Sequence, residues 1–226
     1  MLVSISHIIF TFLSIVIAAG VFGSYIGGHS KSKKLKRFAI FFVLFASYQL
    51  FFSYFLFFDN LYFAAWSYNL AIIVAFIMFA FILSVILSIL GVTRRNRSMV
   101  YLFVLLTGVA VVGMQIYDFR LPVVKESGFI DWNANKLAAR MTSLSAFLIS
   151  LIWVYALLVN ISSFHGHPRK LKAILLASGG LSLGLSGLTT YHTYEESIAI
   201  ASHIFAFIGG FLILSTLLAF NNDRER

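Results

Sequence analysis

Apolar residues in this chain gather into seven long runs, and not one Asp, Glu, Lys or Arg lies inside any of them. Within the runs, apolar positions follow neither the two-residue period of a half-buried strand nor the one-sided stripe of a surface helix. Segments that are apolar all round are helices buried in protein or in lipid. A β-barrel would need alternating polarity in strands of about ten residues. Roughly 20 apolar residues cross the hydrocarbon core as a helix, which satisfies its backbone groups within the segment. The pattern therefore predicts seven transmembrane helices: Leu2–Ile26, Phe38–Phe58, Leu61–Val92, Met99–Tyr117, Met141–Phe164, Ala173–Thr190 and Ser197–Phe220. The third is long enough to tilt or to project beyond a bilayer. The expected fold class is an all-α polytopic membrane protein, a seven-transmembrane helix bundle forming a single domain over residues 1–226.

One connection is long, from Asp118 to Arg140, and contains Pro122, Gly128 and Trp132. Its segment Asp131–Met141 is predicted to form a short interfacial helix, with Trp132 at headgroup depth where aromatic belts sit. The first run lacks a basic n-region and a clear small-residue cleavage site, so it reads as a span rather than a removable signal.

Charge turns this stack of helices into an oriented one. Segments 29–37, 93–98, 165–172 and 221–226 hold thirteen of the seventeen Lys and Arg residues and two acids; the other gaps hold four basic residues and six acids. Short cytoplasmic loops are rich in Lys and Arg. The N-terminus is therefore expected outside and the C-terminus in the cytoplasm, with the plasma membrane as the expected location. With 60% apolar and 11% charged residues, against about 45–50% and about 25% in soluble domains, a soluble globular fold does not fit. The net charge of +9 needs no nucleic-acid partner once the basic loops are cytoplasmic. Those loops are expected to attract anionic lipids, at about 1 kcal/mol per residue near the surface. The absence of cysteine removes disulfides, thiolate metal sites and cysteine nucleophiles.

A shift of 136 residues lays the first three spans on the last three without a gap. The loop from His29 to Lys36 then falls on the loop from His165 to Lys172, Asp59 on Glu195, and Ser14 on Ser150. Identity inside the spans is otherwise sparse. Repeats at 5–92 and 141–226, joined by helix 99–117, would share one orientation, as parallel repeats do. This 3+1+3 layout, the external N-terminus and the size together resemble the broad group that holds SWEET-type sugar transporters and microbial rhodopsins. Rhodopsins hold retinal on a lysine of the seventh span. The seventh span here contains no lysine, so a covalent retinal is excluded. Pro122 and Pro168 lie outside the spans, unlike the prolines in the first helices of SWEET-type repeats.

With no carboxylate or amine in the spans, chemistry falls to neutral polar groups. Counted at 1.5 Å per residue, Gln49, Asn69, Gln115 and His203 all lie in the outer half, where such groups face the bundle interior or a wet cavity. They form the expected ligand-binding set, together with Tyr68 beside Asn69. Trp153 and Tyr155 join them, since each carries a polar tip that needs a partner. The competing explanation is hydrogen bonding between helices, at about 0.6 kcal/mol per pair.

His7 and His203 sit near the outer ends of the first and last spans, each in a Ser-His-Ile triplet, and His192 lies in the short loop between spans 6 and 7, near Glu195. If those spans are neighbours, His7 and His203 could ligate a b-type haem, or bind zinc with His192 or Glu195. No ligand-spacing motif marks either site. An outer-face histidine also titrates near neutral pH and could sense protons; contact with headgroups or a backbone carbonyl is its plainer role. Gly184-Leu-Ser-Gly187 is similar to the GxSG of rhomboid proteases, whose serine works with a histidine on a later helix. Ser186 and His203 would be the only such pair. Close helix packing by the small residues of span 6, including the GxxxG from Gly180 to Gly184, explains this stretch better, and no catalytic residue is assigned.

The function expected from these features is a transporter- or permease-like protein that binds or moves a small neutral or apolar solute. Missing membrane carboxylates argue against an acidic proton relay. One alternative is an opsin-shaped sensory receptor signalling through a membrane or cytoplasmic protein partner. Another is a haem-binding or accessory subunit of a membrane complex.

Overall fold

The computed structural model describes residues 2–26, 33–53, 60–126, 130–163, 166–190 and 196–219. Among them are seven α-helices: α1 Leu2–Ile26, α2 Lys33–Phe52, α3 Leu61–Ile89, α4 Arg94–Tyr117, α5 Lys136–Val159, α6 His167–Thr190 and α7 Glu196–Ala219. Four of them, α3 to α6, are long and apolar enough to cross a membrane. The other three carry shorter apolar segments, Ile8–Gly23, Ala39–Phe52 and Ser197–Ile213.

Helices α2, α4, α5 and α6 begin five or six residues before their apolar runs, through Lys, Arg or His. Capping explains two of these starts. Asn135 Oδ1 accepts from the N–H groups of Leu137 and Ala138 at 3.0 and 3.1 Å. Thr93 caps α4 through the Asn96 N–H. Such side chains take up helix N–H groups that have no intrahelical acceptor. Between α3 and α4 the chain turns at Gly91, with φ +75°. There Val92 N–H reaches Leu87 O (3.0 Å) and Gly91 N–H reaches Ser88 O (3.4 Å), a Schellman closure that favours glycine.

Consecutive helices run antiparallel, as their contacts near shared ends require. Thr11 meets Ser53, Ser67 donates to Phe51 O, and Gln115 accepts from Asn135 N–H. Trp153 donates to Leu176 O, and Ser186 meets Ser202. Helix α1 also packs against α7, and α3 against α5. Six helices, α1, α2, α3, α5, α6 and α7, therefore close into a ring, with α4 outside it against α3 and α5. Gly108 of α4 permits that contact, since a Cβ there would fall 2.6 Å from Phe76 Cβ. Of their most apolar stretches, half is buried in α3 and 22% in α4, which marks α3 as central and α4 as peripheral. Large apolar side chains face outward, with Phe103, Val109 and Phe12 68–70% exposed.

The connection after α4 is a small hairpin, β1 Val123–Val124 against β2 Ile130–Asp131. It marks one end of the bundle, the hairpin end; Arg94, Arg95, Arg169 and Lys170 lie at the other, the basic end. The separate interfacial helix expected over Asp131–Met141 is not formed. Asp131 instead accepts from Asn133 N–H at 2.9 Å, Asn133 takes φ +50°, and Asn135 starts α5. Asx side chains offer the backbone local bonds that compete with a helix. Trp132 does not sit in a lipid-facing belt either. Its ring stacks on Tyr68, with centroids 4.9 Å apart, and packs on Phe52 at 5.2 Å.

Candidate functional site

All six ring helices line one cavity of about 150 Å³, while α4 contributes nothing to it. Its wall is mostly aromatic and aliphatic. Phe10 meets Phe45 edge-on at 5.8 Å, and Phe45, Tyr48 and Phe52 follow along α2 with centroids 5.6–6.4 Å apart. Opposite these rings, α6 offers Gly180, Gly184 and Gly187. Gly180 lies flat against the Trp153 indole, where a Cβ would fall 2.6 Å from Nε1. Large side chains on α2 and α5 thus face small ones on α6, and the space left between them is the cavity. Among the described residues no Asp, Glu, Lys or Arg lines it.

Three of the predicted binding residues, Gln49, Trp153 and His203, line this cavity. Trp153 has its polar tip committed, donating from Nε1 to Leu176 O at 3.0 Å, so it offers the cavity an apolar ring face. Gln49 differs. It is 7% exposed, and no described residue hydrogen-bonds its side-chain amide. A buried amide without a partner costs about 1–3 kcal/mol. Ser186 and Thr190 also line the cavity, and their hydroxyls belong to a cluster with Ser202. The Ser186 hydroxyl lies 3.2 Å from that of Ser202, a hydroxyl pair rather than a serine–histidine dyad.

Tyr68, Asn69 and Gln115 fall elsewhere, around a pinch of about 10 Å³ under the hairpin, with Trp132, Asn133 and Arg120. Gln115 Oε1 accepts from Asn135 N–H at 3.0 Å, and Asn69 Nδ2 donates to Ala65 O at 3.0 Å. Asn69 Oδ1 and Gln115 Nε2 remain buried without partners. Beside the pinch, Arg120 binds Asp118 through Nε at 2.9 Å and a second nitrogen at 2.8 Å. The Arg120 hydrogen bond, aided by one from Asn135, holds the Asp118 carboxyl below its ordinary pKa against a smaller opposing effect of desolvation. Tyr155 joins neither group; it is 59% exposed on the outer face of α5. Two residues from Trp153 is about 200° around a helix, so the two cannot share a face.

The partition between the cavities is aromatic. Phe52 lines the larger one and packs on Tyr68 and Trp132 of the smaller. Tyr48, Phe52 and the α6 glycines were absent from the binding set predicted above. Their signal lay in the pairing of an aromatic-rich span 2 with a glycine-rich span 6, which reads equally as plain packing.

His192 and the side chain of His7 lie outside the described residues. Helices α1 and α7 are neighbours, with Phe10 next to Gly210. No three His, Asp or Glu side chains converge among the described residues. Comparison with known protein families, with curated proteins and with solved structures finds no match.

Proposed function

We propose that the six-helix ring is a binding chamber for a small neutral or apolar solute, carried by an integral membrane protein with transporter- or permease-like function. The observation that carries this reading is a 150 Å³ cavity walled by aromatic rings into which Gln49, buried and unpaired, presents its amide. A largely apolar cavity of about this size has room for a benzene-sized molecule. One uncommitted polar group in an apolar wall is how such sites fix a ligand's orientation. A tetrapyrrole is far larger than this space, so a haem liganded by His203 would have to open the ring.

In this reading all seven helices span the bilayer, with the N-terminus outside, the C-terminus in the cytoplasm and the hairpin external. The outward apolar faces support it, and so do the helix starts. Helices α2, α4 and α6 begin with Lys33-Lys34, Arg94-Arg95 and His167-Pro-Arg169-Lys170. Positive charge at a helix N-terminus opposes the macrodipole by about 0.3–1 kcal/mol. Helix stability alone would not place it there three times; retention of cations on the cytoplasmic side accounts for it. Parallel repeats at 5–92 and 141–226 suit the ring, with α4 as the outlying joint. Ser14 and Ser150, aligned by the 136-residue shift, each donate to the carbonyl three residues earlier at 2.7 Å. A plasma-membrane location and anionic lipids at the basic end belong to the same proposal.

The chain has no cysteine, so single cysteines introduced at Val124 and at Asn96 read out orientation without background. On intact cells an impermeant maleimide should label Val124→Cys and spare Asn96→Cys; the reverse pattern defeats the topology. For binding, purified protein is titrated with small neutral aromatics and its thermal unfolding followed. Stabilisation by benzyl alcohol that is lost in Ala206→Phe, a cavity-wall variant retaining the wild-type helical signal, supports the chamber. No stabilisation by any of the probes counts against it.

A further inference from the structure

Phenylalanine rings run the length of the cavity, but its polar side chains gather toward the hairpin end, apart from Ser150 and Trp153, whose donors are committed to Phe147 O and Leu176 O. Counted from the hairpin end at about 1.5 Å per residue, Gln49, Ser186, Thr190 and His203 all lie within about 11 Å of their helix ends. Phe41, Ile82, Leu176 and Ile213 line it from about 16 Å inward by the same count. The hydroxyls of Ser186 and Thr190 are already engaged with Ser202 and with the Ser186 carbonyl. Trp153 is engaged with Leu176. The amide of Gln49 is left to supply both a donor and an acceptor to whatever enters.

We infer that the molecule accepted by the ring is a single-headed amphiphile, with one uncharged hydrogen-bonding group seated against Gln49 and a slender apolar body directed toward the basic end. This rests on the chamber reading above and names its substrate class. A neutral alcohol, ketone or primary amide satisfies the Gln49 amide, which can donate and accept at once. A carboxylate or ammonium would enter without a Lys, Arg, Asp or Glu among the described wall residues to balance it, and an unpaired buried charge is far costlier than an unpaired amide. A pure hydrocarbon would fill the apolar part and leave Gln49 unsatisfied. A sugar, polar all round, would leave most of its hydroxyls against phenylalanine rings.

Two photoreactive probes of equal ring size test the inference. One is 4-(trifluoromethyldiazirinyl)benzyl alcohol, and the other is its parent without the hydroxymethyl group. Each is irradiated with the reconstituted protein, and labelled residues are mapped by mass spectrometry. The diazirine sits opposite the hydroxyl. The alcohol should therefore label the Phe41, Leu176 and Ile213 level in preference to the Gln49 level, and should label the cavity about five- to tenfold more than the parent, the weight of one hydrogen bond. Gln49→Leu and the near-isosteric Gln49→Met should each erase that preference, lowering cavity labelling by the alcohol and holding or raising that by the parent, which no longer leaves an amide unsatisfied. Equal, unoriented labelling by both probes in the wild type overturns the amphiphile while leaving the chamber intact. Cavity residues labelled no more than the lipid-facing Phe12 and Phe103 would bring down the chamber and the amphiphile together.

Discussion

The chamber inside the ring presents the unpaired amide of Gln49 to its own space, and the pinch beneath the hairpin holds two buried amide atoms without partners, yet the volumes are about 150 and about 10 Å³. Size and partner number decide what that means in each place. The pinch holds an orphan acceptor, Asn69 Oδ1, and an orphan donor, Gln115 Nε2, around room for about one water molecule. A buried water needs two to four polar partners and roughly that much space, so the pinch has the size and the polar groups for one water bridging α3 and α4. In the chamber one free amide faces a wall of rings. The hydroxyls of Ser150, Ser186 and Thr190 and the indole of Trp153 are already engaged within the protein, and an organic molecule with one polar group is the better occupant. An unpaired group is thus a structural joint where water fits and a recognition element where it does not.

The largest effect that can break this contrast lies in the wall of the chamber. Gly184 packs so tightly on Ser150 that a Cβ would overlap both Cβ and Oγ of the serine. Gly184→Ala should therefore push α5 and α6 apart and destabilise the protein by about 1–3 kcal/mol, the usual range for overpacking. It should abolish ligand-induced stabilisation as well. Ser150→Gly in the same chain removes the colliding atoms and should restore most of the melting temperature in detergent. A single variant that melts like the wild type would mean the chamber wall is loose, and its volume then carries no specificity.

At the pinch the test is a double-mutant cycle. Asn69→Leu and Gln115→Leu each strand the other amide and the water between them, and each should cost about 1–3 kcal/mol. Removing both should cost clearly less than the sum, since groups joined in one network couple. Strict additivity in thermal unfolding would separate the two amides and leave the pinch dry.

Gln49 should behave with the opposite sign. Gln49→Leu removes an amide that no described residue pairs, so the ligand-free protein should gain up to about 1 kcal/mol while recognition of a polar head is lost. Stability given up at a binding site is a common exchange for function. A clear fall in melting temperature without ligand would show that Gln49 is a joint like Gln115, and the distinction between the two cavities would collapse.

How much of this was readable beforehand follows from what hydropathy measures. Apolar runs placed all seven helices, and α1 has the predicted bounds. They missed the starts of α2, α4, α5 and α6, because a helix continues through Lys33, Arg94 or Lys136 for as long as its N–H groups find partners, whatever its polarity. The caps Thr93 and Asn135 are residue types suited to helix starts, but hydropathy alone does not weigh them. Depth along a span was legible for Gln49, Asn69, Gln115 and His203; azimuth was not. Runs apolar on every side give no stripe to say which face turns inward, and so one predicted set divided between two cavities. Tyr155 could have been separated from Trp153 by counting alone. The peripheral place of α4 rests on Gly108 meeting Phe76 and on a ring closed by α3 and α5, contacts that no single-chain pattern encodes.

The smallest predicted effect concerns the lid of the pinch, where charge rather than packing is at work. Arg120 lowers the Asp118 pKa in the folded protein, so the pair's contribution is fully present above the unfolded carboxylate value of about 3.9 and is lost as pH falls through the folded value. Both side chains are substantially exposed, and the pair should not affect global unfolding measurably at neutral pH. Its effect should instead be local, on the hairpin that holds Trp132 over Tyr68. In protein labelled with fluorotryptophan, the ¹⁹F resonance assigned through Trp132→Phe should hold its position down to about pH 4 and move only below it. Arg120→Gln should raise the midpoint of that movement toward the ordinary carboxylate value. A midpoint indifferent to Arg120 would detach the lid from its ion pair and leave aromatic stacking alone to close the pinch, as it already separates the pinch from the chamber.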